Sequence, residues 1–252
     1  MISESMVAFI RSLPERRELT RGDLLVDALK LSEETSKGLV VYDAPFGWIN
    51  EDARVALIGV TPGFTQMQIA FQAVRRHLIA GKSQEDACRL VKYEASFAGS
   101  MRTNLIRMLE ELEMHEILGL SSPGDLFGTA SHLLHTTSAV RFPTFLDGRN
   151  YTGSRPPILR SPFLMRYVRE ILAPELSSLQ SAVFVPLGKS VAGVLAVLEE
   201  EGLIPDGRTL YGFPHPSGAN GHRERQFAEA KSQLAKRLRA VLGSSPHSTI
   251  SP

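Results

Sequence analysis

The chain has little cysteine, little net charge and no long apolar run. Its 252 residues include one cysteine, Cys88, which excludes a disulfide framework and a Cys-rich zinc or iron–sulfur site. The formal net charge is +1, so a nucleic-acid surface must be a local patch. No apolar run approaches the roughly 20 residues of a membrane span, and the N-terminus lacks a signal-peptide pattern. We expect a monomeric cytoplasmic protein that needs no metal or cofactor and does not bind membranes.

The hydrophobic content is sufficient for one sizeable α/β domain. Hydrophobic residues make up 43% of the sequence, which allows a full core over residues 1–242. No internal repeat divides this range. The last ten residues, 243–252, read G-S-S-P-H-S-T-I-S-P. Their composition predicts a disordered tail.

The most informative stretch is residues 212–225, G-F-P-H-P-S-G-A-N-G-H-R-E-R. His215 lies between two prolines that fix the backbone, and the small residues that follow allow a sharp turn before a helix. The preceding run at 208–213, R-T-L-Y-G-F, is typical of a short strand. In open α/β sheets, ligands bind at the carboxyl ends of such strands. The spacing fits two interpretations equally well: an active-site loop, or an ordinary connection whose histidine only caps another group.

A second stretch, R-V-A-L-I-G-V-T-P-G at 54–63, is a continuous apolar strand that ends in a Gly-x-x-Pro-Gly turn. Together, G-V-T-P-G and H-P-S-G-A-N resemble the two signature motifs of the uracil-DNA glycosylase superfamily. Its first motif takes forms such as G-Q-D-P-Y-H, G-I-N-P-G or G-E-A-P-G. Its second is H-P-S or N-P-S followed by a DNA-penetrating loop. The resemblance covers roughly residues 54–242.

Two softer motifs extend the resemblance. The run S-F-A-G-S-M-R-T-N-L-I-R-M-L-E-E-L at 96–112 is similar to the pattern of the iron–sulfur-containing branch, although that branch's cysteines are missing here. On this match Phe97 would stack on the flipped base; a core aromatic at a helix start is the alternative. The strand predicted at 132–140 places Ser138 where the family has an asparagine that reads uracil. A hydroxyl offers one rotating donor, whereas an amide donates and accepts in a fixed plane.

The resemblance implies a full set of site residues. His215 and Thr61 would be catalytic, with His215 donating a hydrogen bond to the departing base and Thr61 orienting water without taking its proton. The residues that would hold the base are Gly59, Val60, Pro62, Gly63, Phe97 and Ser138. The residues that would contact DNA are Ser217, Gly218, Ala219, Asn220, His222 and Arg223, together with Arg149, Arg155 and Arg160 from a basic, proline-rich segment. Such a basic segment is also typical of a solvated face.

The same pattern predicts the fold. Strands are expected within 54–63, before its closing turn, and at 132–140, 182–187 and 208–213, each followed by a helix. This arrangement indicates an α/β protein, a three-layer α/β/α sandwich with a central four-stranded, mainly parallel sheet. Residues 1–50 are expected to form a helical cap, with helices at 3–13 and 22–31 and a short strand at 39–42. Residues 64–95 are expected to be an insertion of two helices that separate at Gly81. Later helices are expected over 161–172, closed by Pro174, and over 223–242.

We expect a monofunctional DNA glycosylase that acts on uracil or a related damaged base in base excision repair. Two alternatives remain open. Ser138 and the insertion favour an enzyme for a bulkier modified base in foreign DNA. Thr61, which lacks the proton-accepting ability of an aspartate, favours a DNA-binding homologue with weak catalysis.

Overall fold

The computed structural model describes residues 2–15 and 18–243, and the predicted tail at 243–252 lies outside them except for its first residue. Within the described residues, the helices are α1 (Glu4–Ser12), α2 (Arg21–Leu24), α3 (Phe64–Ile79), α4 (Gln84–Ala95), α5 (Ser100–Glu111), α6 (Met114–Leu118), α7 (Pro162–Tyr167), α8 (Ala173–Ser178), α9 (Lys189–Glu200) and α10 (Arg223–Leu242). The strands are β1 (Lys30–Glu34), β2 (Leu39–Tyr42), β3 (Val55–Gly59), β4 (Leu134–Ser138), β5 (Thr144–Leu146), β6 (Arg149–Asn150) and β7 (Val183–Pro186).

The centre of the molecule is a parallel sheet with the strand order β4-β3-β7. All five residues of β3 are buried, as expected of a strand covered on both faces. Gly59 at the end of β3 is in register with Ser138 at the end of β4. The two strands therefore deliver their following loops to the same edge of the sheet.

Helices cover both faces of this sheet. On one face, Leu57 belongs to a buried cluster with Leu105 of α5 and Leu234 of α10. On the other face, Ile58 belongs to a cluster with Val191 of α9. Successive residues of a strand point to opposite faces, so one apolar run supplies both clusters. The architecture is α/β, as predicted.

The predicted fourth strand at 208–213 is present only as a single parallel bridge between Phe184 and Thr209. The prediction of four full strands is therefore not met by the sheet. Glycines with positive φ stand at both ends of the segment, Gly207 at 80° and Gly212 at 97°. These left-handed positions end the extended backbone on either side of the bridge.

The predicted helical cap at 1–50 is only partly helical. It begins with α1, whose N-cap Ser3 accepts a hydrogen bond from a backbone N–H, and continues with the single-turn α2. The helix predicted over 22–31 ends early, because the chain next enters β1, which pairs with β2. These strands form an antiparallel sheet of order β1-β2-β5-β6. The short strand predicted at 39–42 is confirmed as β2.

Two helices are present over the range predicted for them, as α3 and α4, with Gly81 between them at a φ of 78°. They pack against each other and against α1 around a third buried cluster that includes Phe71, Val91 and Ile10. This cluster is separate from the two that flank the parallel sheet.

Two further features concern the later helices. The helix predicted over 161–172 is not closed by Pro174. A π-helical turn at Val168–Leu172 joins α7 to α8, which tolerates Pro174 in its first turn and continues to Ser178. The long helix α10 has the predicted bounds and buries one side against the parallel sheet. Across residues 2–15 and 18–243, helices that combine the length and the apolarity of a membrane span are absent.

Candidate functional site

A cavity of about 490 Å³ lies at the carboxyl ends of β3 and β4. Its wall is built from segments that are far apart in the sequence. The segments are the loop at 59–63, the end of β4 at 136–138, the approach to α5 at 96–101 and the loop at 215–220. The size and position are typical of a small-molecule site in an open α/β sheet.

The cavity brings together every residue predicted to bind the base or to act in catalysis. These residues are Gly59, Val60, Thr61, Pro62, Gly63, Phe97, Ser138 and His215. Of the predicted DNA contacts, the loop residues Ser217, Ala219 and Asn220 line the cavity as well. The remaining predicted contacts, Gly218, His222, Arg223, Arg149, Arg155 and Arg160, lie outside its wall.

His215 is held as a neutral hydrogen-bond donor. Its Nδ1 accepts a hydrogen bond from the backbone N–H of Ser217 at 3.2 Å. Burial lowers the pKa of the His215 imidazole below its usual range. A neutral ring whose Nδ1 accepts must carry its proton on Nε2. His215 can therefore donate from Nε2 to an acceptor in the cavity.

Three side chains brace the loop that carries His215. Asn104 of α5 donates to the carbonyl of Pro216 at 2.9 Å. Asn220 donates to the carbonyl of His215 at 3.2 Å. Arg223 donates to the carbonyl of Ser217 at 3.1 Å, and its side chain is only 14% exposed. Arg223 therefore supports the loop from within.

Gly188 allows the His215 loop to approach β7. Its φ is 95°, and a Cβ at this position would lie 3.1 Å from the Cβ of His215. Its backbone N–H donates to the carbonyl of Phe213 at 3.1 Å. A side chain here would strain the backbone and crowd the imidazole at once.

Phe97 and Ser138 flank the same glycine. A Cβ at Gly59 would lie 3.2 Å from Cε1 of Phe97 and 3.4 Å from Oγ of Ser138. Phe97 has a φ of 53°, an uncommon conformation for a residue with a side chain. The half-buried ring forms part of the cavity wall while its other side packs against the buried cluster of α5. An aromatic face and a hydroxyl are thus placed side by side.

The hydroxyl of Thr61 is already engaged. It donates to the carbonyl of Phe142 at 2.7 Å and accepts from the backbone N–H of Thr144 at 3.1 Å. A hydroxyl has one proton to donate, so Thr61 has none left for a water molecule. Thr61 lines the cavity, and its side chain fixes the loop after β4.

Sequence reasoning missed a buried charged cluster at one end of the cavity. Lys92 of α4 is 2% exposed and donates from Nζ to the carbonyl of Thr136 at 2.7 Å. Its Nζ lies 3.9 Å from Oε1 of Glu175, which is fully buried in α8. Arg141 donates to Oε2 of Glu175 from Nε at 2.9 Å and from Nη2 at 2.6 Å. Both cations line the cavity.

His135 completes this cluster. Its Nδ1 accepts from the backbone N–H of Asn50 at 3.3 Å, so Nε2 donates to Oε1 of Glu175 at 2.7 Å. Burial lowers the pKa of His135, and the charge of Lys92 lowers it further. Burial would raise the pKa of Glu175, but the His135 hydrogen bond and the two cations outweigh it and hold the pKa below its usual range. Glu175 is therefore ionised and His135 neutral.

Other cavity residues were also missed. They are Phe46, Gln66, Ser96, Met101, Thr136, Thr137, Asn150, Tyr151 and Thr152. Asn150 has a structural task, since its Oδ1 accepts from the N–H of Phe64 at the start of α3. Within the described part of the chain, no three His, Cys, Asp or Glu side chains are grouped as metal ligands would be.

The α/β architecture and the cavity at the carboxyl ends of parallel strands define a class, that of α/β proteins with a ligand site at the sheet edge. No protein-family model matches the chain. The chain is 40% identical over 224 residues to the uncharacterized protein YoxB of Bacillus subtilis (strain 168). The alignment covers 88% of this chain and 87% of YoxB. The chain therefore belongs to the same family as YoxB.

Proposed function

We propose that the protein is a monofunctional DNA glycosylase of the uracil-DNA glycosylase superfamily. It would hydrolyse the N-glycosidic bond of a flipped-out uracil or related modified base, as a monomer acting in the cytoplasm. The observation that carries the proposal is the meeting of Phe97, Ser138 and a neutral, proton-donating His215 in one cavity. An aromatic face, a polar reading group and a donor are what base excision requires.

The proposal extends to the fold. Helices on both faces of the parallel sheet are compatible with the three-layer α/β/α sandwich of that superfamily. The parallel bridge at Thr209 then marks the place of its fourth strand. On this interpretation the His215 loop follows that strand.

In the proposed reaction, the target nucleotide leaves the stack and its base enters the cavity against Phe97. The bond between the base nitrogen and the sugar carbon breaks, and its electron pair goes to the base. His215 donates a hydrogen bond from Nε2 to a base oxygen where negative charge develops. Water then attacks the sugar cation and loses a proton to solvent. Excision leaves the DNA strand intact.

Stabilisation of the departing base carries most of this mechanism. Thr61 has a committed hydroxyl proton and cannot take a proton from water near neutral pH. The enzyme is therefore expected to favour bases that leave readily. The lack of a group that activates water supports two alternatives to a fast uracil enzyme. One is a DNA-binding homologue with weak catalysis, and the other is an enzyme for a modified base.

A bulkier modified base in foreign DNA is the better supported of these alternatives. The inserted helices contribute Gln66 and Lys92 to the cavity wall. Ser138 also occupies less space than an asparagine would. The smaller Ser138 side chain leaves room for a base larger than a plain pyrimidine, and Gln66 and Lys92 offer polar contacts to its substituent.

DNA would be held by groups around the cavity mouth. Gly218 and Ala219 form an exposed tip on the His215 loop. Arg149, Arg155 and Arg160 are exposed as well, and Arg149 precedes the cavity residue Asn150. Exposed arginines can neutralise phosphates despite the low net charge.

The test is single-turnover excision on oligonucleotides that contain uracil, hypoxanthine, xanthine or a hydroxymethylated pyrimidine. His215→Ala should lower base release by about 100-fold or more, since losing one donor to a developing oxyanion costs that much. His132→Ala, which removes an exposed imidazole away from the cavity, is the matched control and should retain the parent rate. A parent that releases none of the bases, or a His215→Ala variant as active as the parent, would refute the proposal.

A further inference from the structure

The cavity has a cationic end. Two cationic side chains, Lys92 and Arg141, line it, and they face the single carboxylate of Glu175. The fourth charged candidate in the cluster, His135, is neutral. One negative charge opposite two positive charges leaves an excess of positive charge in a buried place, where an uncompensated charge is costly.

Lys92 is the less well compensated of the two cations. Arg141 makes two short hydrogen bonds to Glu175, whereas Nζ of Lys92 is 3.9 Å from that carboxylate, beyond hydrogen-bond distance. Burial lowers the pKa of Lys92 to about 8. The attraction of Glu175 opposes this shift but is smaller, and repulsion from Arg141 adds to it. Cys88 is the remaining titratable group that acts on it. Near neutral pH Lys92 is therefore mainly charged, with the Thr136 carbonyl as its hydrogen-bonded acceptor.

The position of Lys92 relates it to the base-reading residues. Thr136, whose carbonyl it contacts, precedes Ser138 by two residues on β4, a distance of about 7 Å along a strand. The neighbouring Thr137 also lines the cavity, and its buried Oγ1 is without a hydrogen-bond partner in the described part of the chain. A base stacked on Phe97 with one edge at Ser138 would direct a substituent toward this end.

We propose, on the basis of the proposed function, that the cavity selects a base carrying a negatively charged substituent such as a carboxylate, with Lys92 and Arg141 as its partners. The carboxylate would supply the missing negative charge and accept hydrogen bonds from Nζ of Lys92. Charge-assisted hydrogen bonds of this kind are the strong ones in a buried site.

A purely structural role for Lys92 makes different predictions. β4 is at the edge of the parallel sheet, so the Thr136 carbonyl faces away from β3 and needs a donor. If Lys92 only satisfied this carbonyl, its replacement would alter stability and leave the choice of base unchanged. The ratio of rates on a charged base and a neutral base of the same shape separates the two roles.

The experiment compares oligonucleotides that contain 5-carboxyuracil with others that contain 5-carboxamidouracil, in single-turnover excision. The parent should prefer the carboxylate by about tenfold or more. Lys92→Gln keeps an N–H donor and Lys92→Met keeps the volume, and both should lose the preference. Lys189→Met, which removes an exposed lysine outside the cavity, should keep it. The parent's preference should also decline as the pH rises through about 8, where Lys92 loses its proton, and the Lys92 variants should lack this decline.

The outcomes distinguish this inference from the proposed glycosylase function. Equal rates on the two bases, or a preference that survives in both folded Lys92 variants, would overturn the inference and leave the glycosylase standing. Absence of excision on every base would refute the glycosylase. Calorimetric binding of the free bases 5-carboxyuracil and 5-carboxamidouracil would then decide the inference alone: tighter binding of the carboxylate that depends on Lys92 supports it, and equal or no binding overturns it.

Discussion

Removal of the Thr61 hydroxyl should destabilise the protein by an amount that follows from its two hydrogen bonds. In Thr61→Val the shape is kept and the hydroxyl is lost. The Phe142 carbonyl retains a second donor, the hydroxyl of Thr144 at 3.0 Å. The backbone N–H of the fully buried Thr144 loses its acceptor. One unsatisfied buried donor costs about 1–3 kcal/mol, and about 2 kcal/mol corresponds to a Tm lower by about 4–8 °C in a domain of this size.

Urea unfolding and thermal unfolding measure this loss, and Thr61→Ser is the matched control, since it keeps the hydroxyl and should remain close to the parent. Excision should be compared at a temperature well below the Tm of Thr61→Val. If this variant proves as stable as the parent but inactive, Thr61 acts on water rather than on the loop, and the structural role assigned to it is refuted.

Two further predictions concern His215 and its surroundings. Gly188→Ala should lower both the stability and the rate of excision, because the new Cβ would lie 3.1 Å from the Cβ of His215. Gly202→Ala is the control: its φ is 67° and the space around it is open, so it should show the backbone strain alone and keep the parent rate. The free energy of unfolding should fall as the pH drops below about 6.5, because burial lowers the pKa of both His135 and His215, so the unfolded chain binds protons that the folded chain does not. Urea titrations at pH 7.5, 6.5 and 5.5 check this, with His215→Ala expected to show a weaker dependence; a stability that is constant across the range would contradict it.

Much of the site could be predicted because its residues lie in short, continuous motifs. The apolar run that becomes β3 ends at Gly59, and the prolines around His215 fix a loop, so both positions can be identified without long-range information. Parallel strands bring their carboxyl ends together, which places Ser138 beside Gly59 once β3 and β4 are recognised. The local sequence pattern, together with the rule that parallel strands place their carboxyl ends at one edge of the sheet, was sufficient to predict these positions.

The charged cluster could not be predicted in the same way. Lys92 follows the pattern of an ordinary helical residue, and its partners Glu175 and Arg141 are dozens of positions away. Burial of a charge depends on the packing of α4 and α8 against β4, which periodicity does not reveal. The strand β1 was missed for a related reason, since its exposed charges conceal the strand pattern that pairing with β2 imposes.

The third hydrophobic cluster, in which α3 and α4 pack with α1, has a consequence for how this family can diversify. Those helices are stabilised largely by one another and by the N-terminal segment, while α4 delivers Lys92 into the cavity. The loops at 59–63 and 212–220 belong instead to the parallel sheet. On the proposed function, Lys92, assigned to selecting the base substituent, and His215, assigned to promoting departure of the base, lie on separate stretches of chain. Relatives could therefore differ in residues 64–95, and so in the ligand they prefer, while the loops at 59–63 and 212–220 stay unchanged.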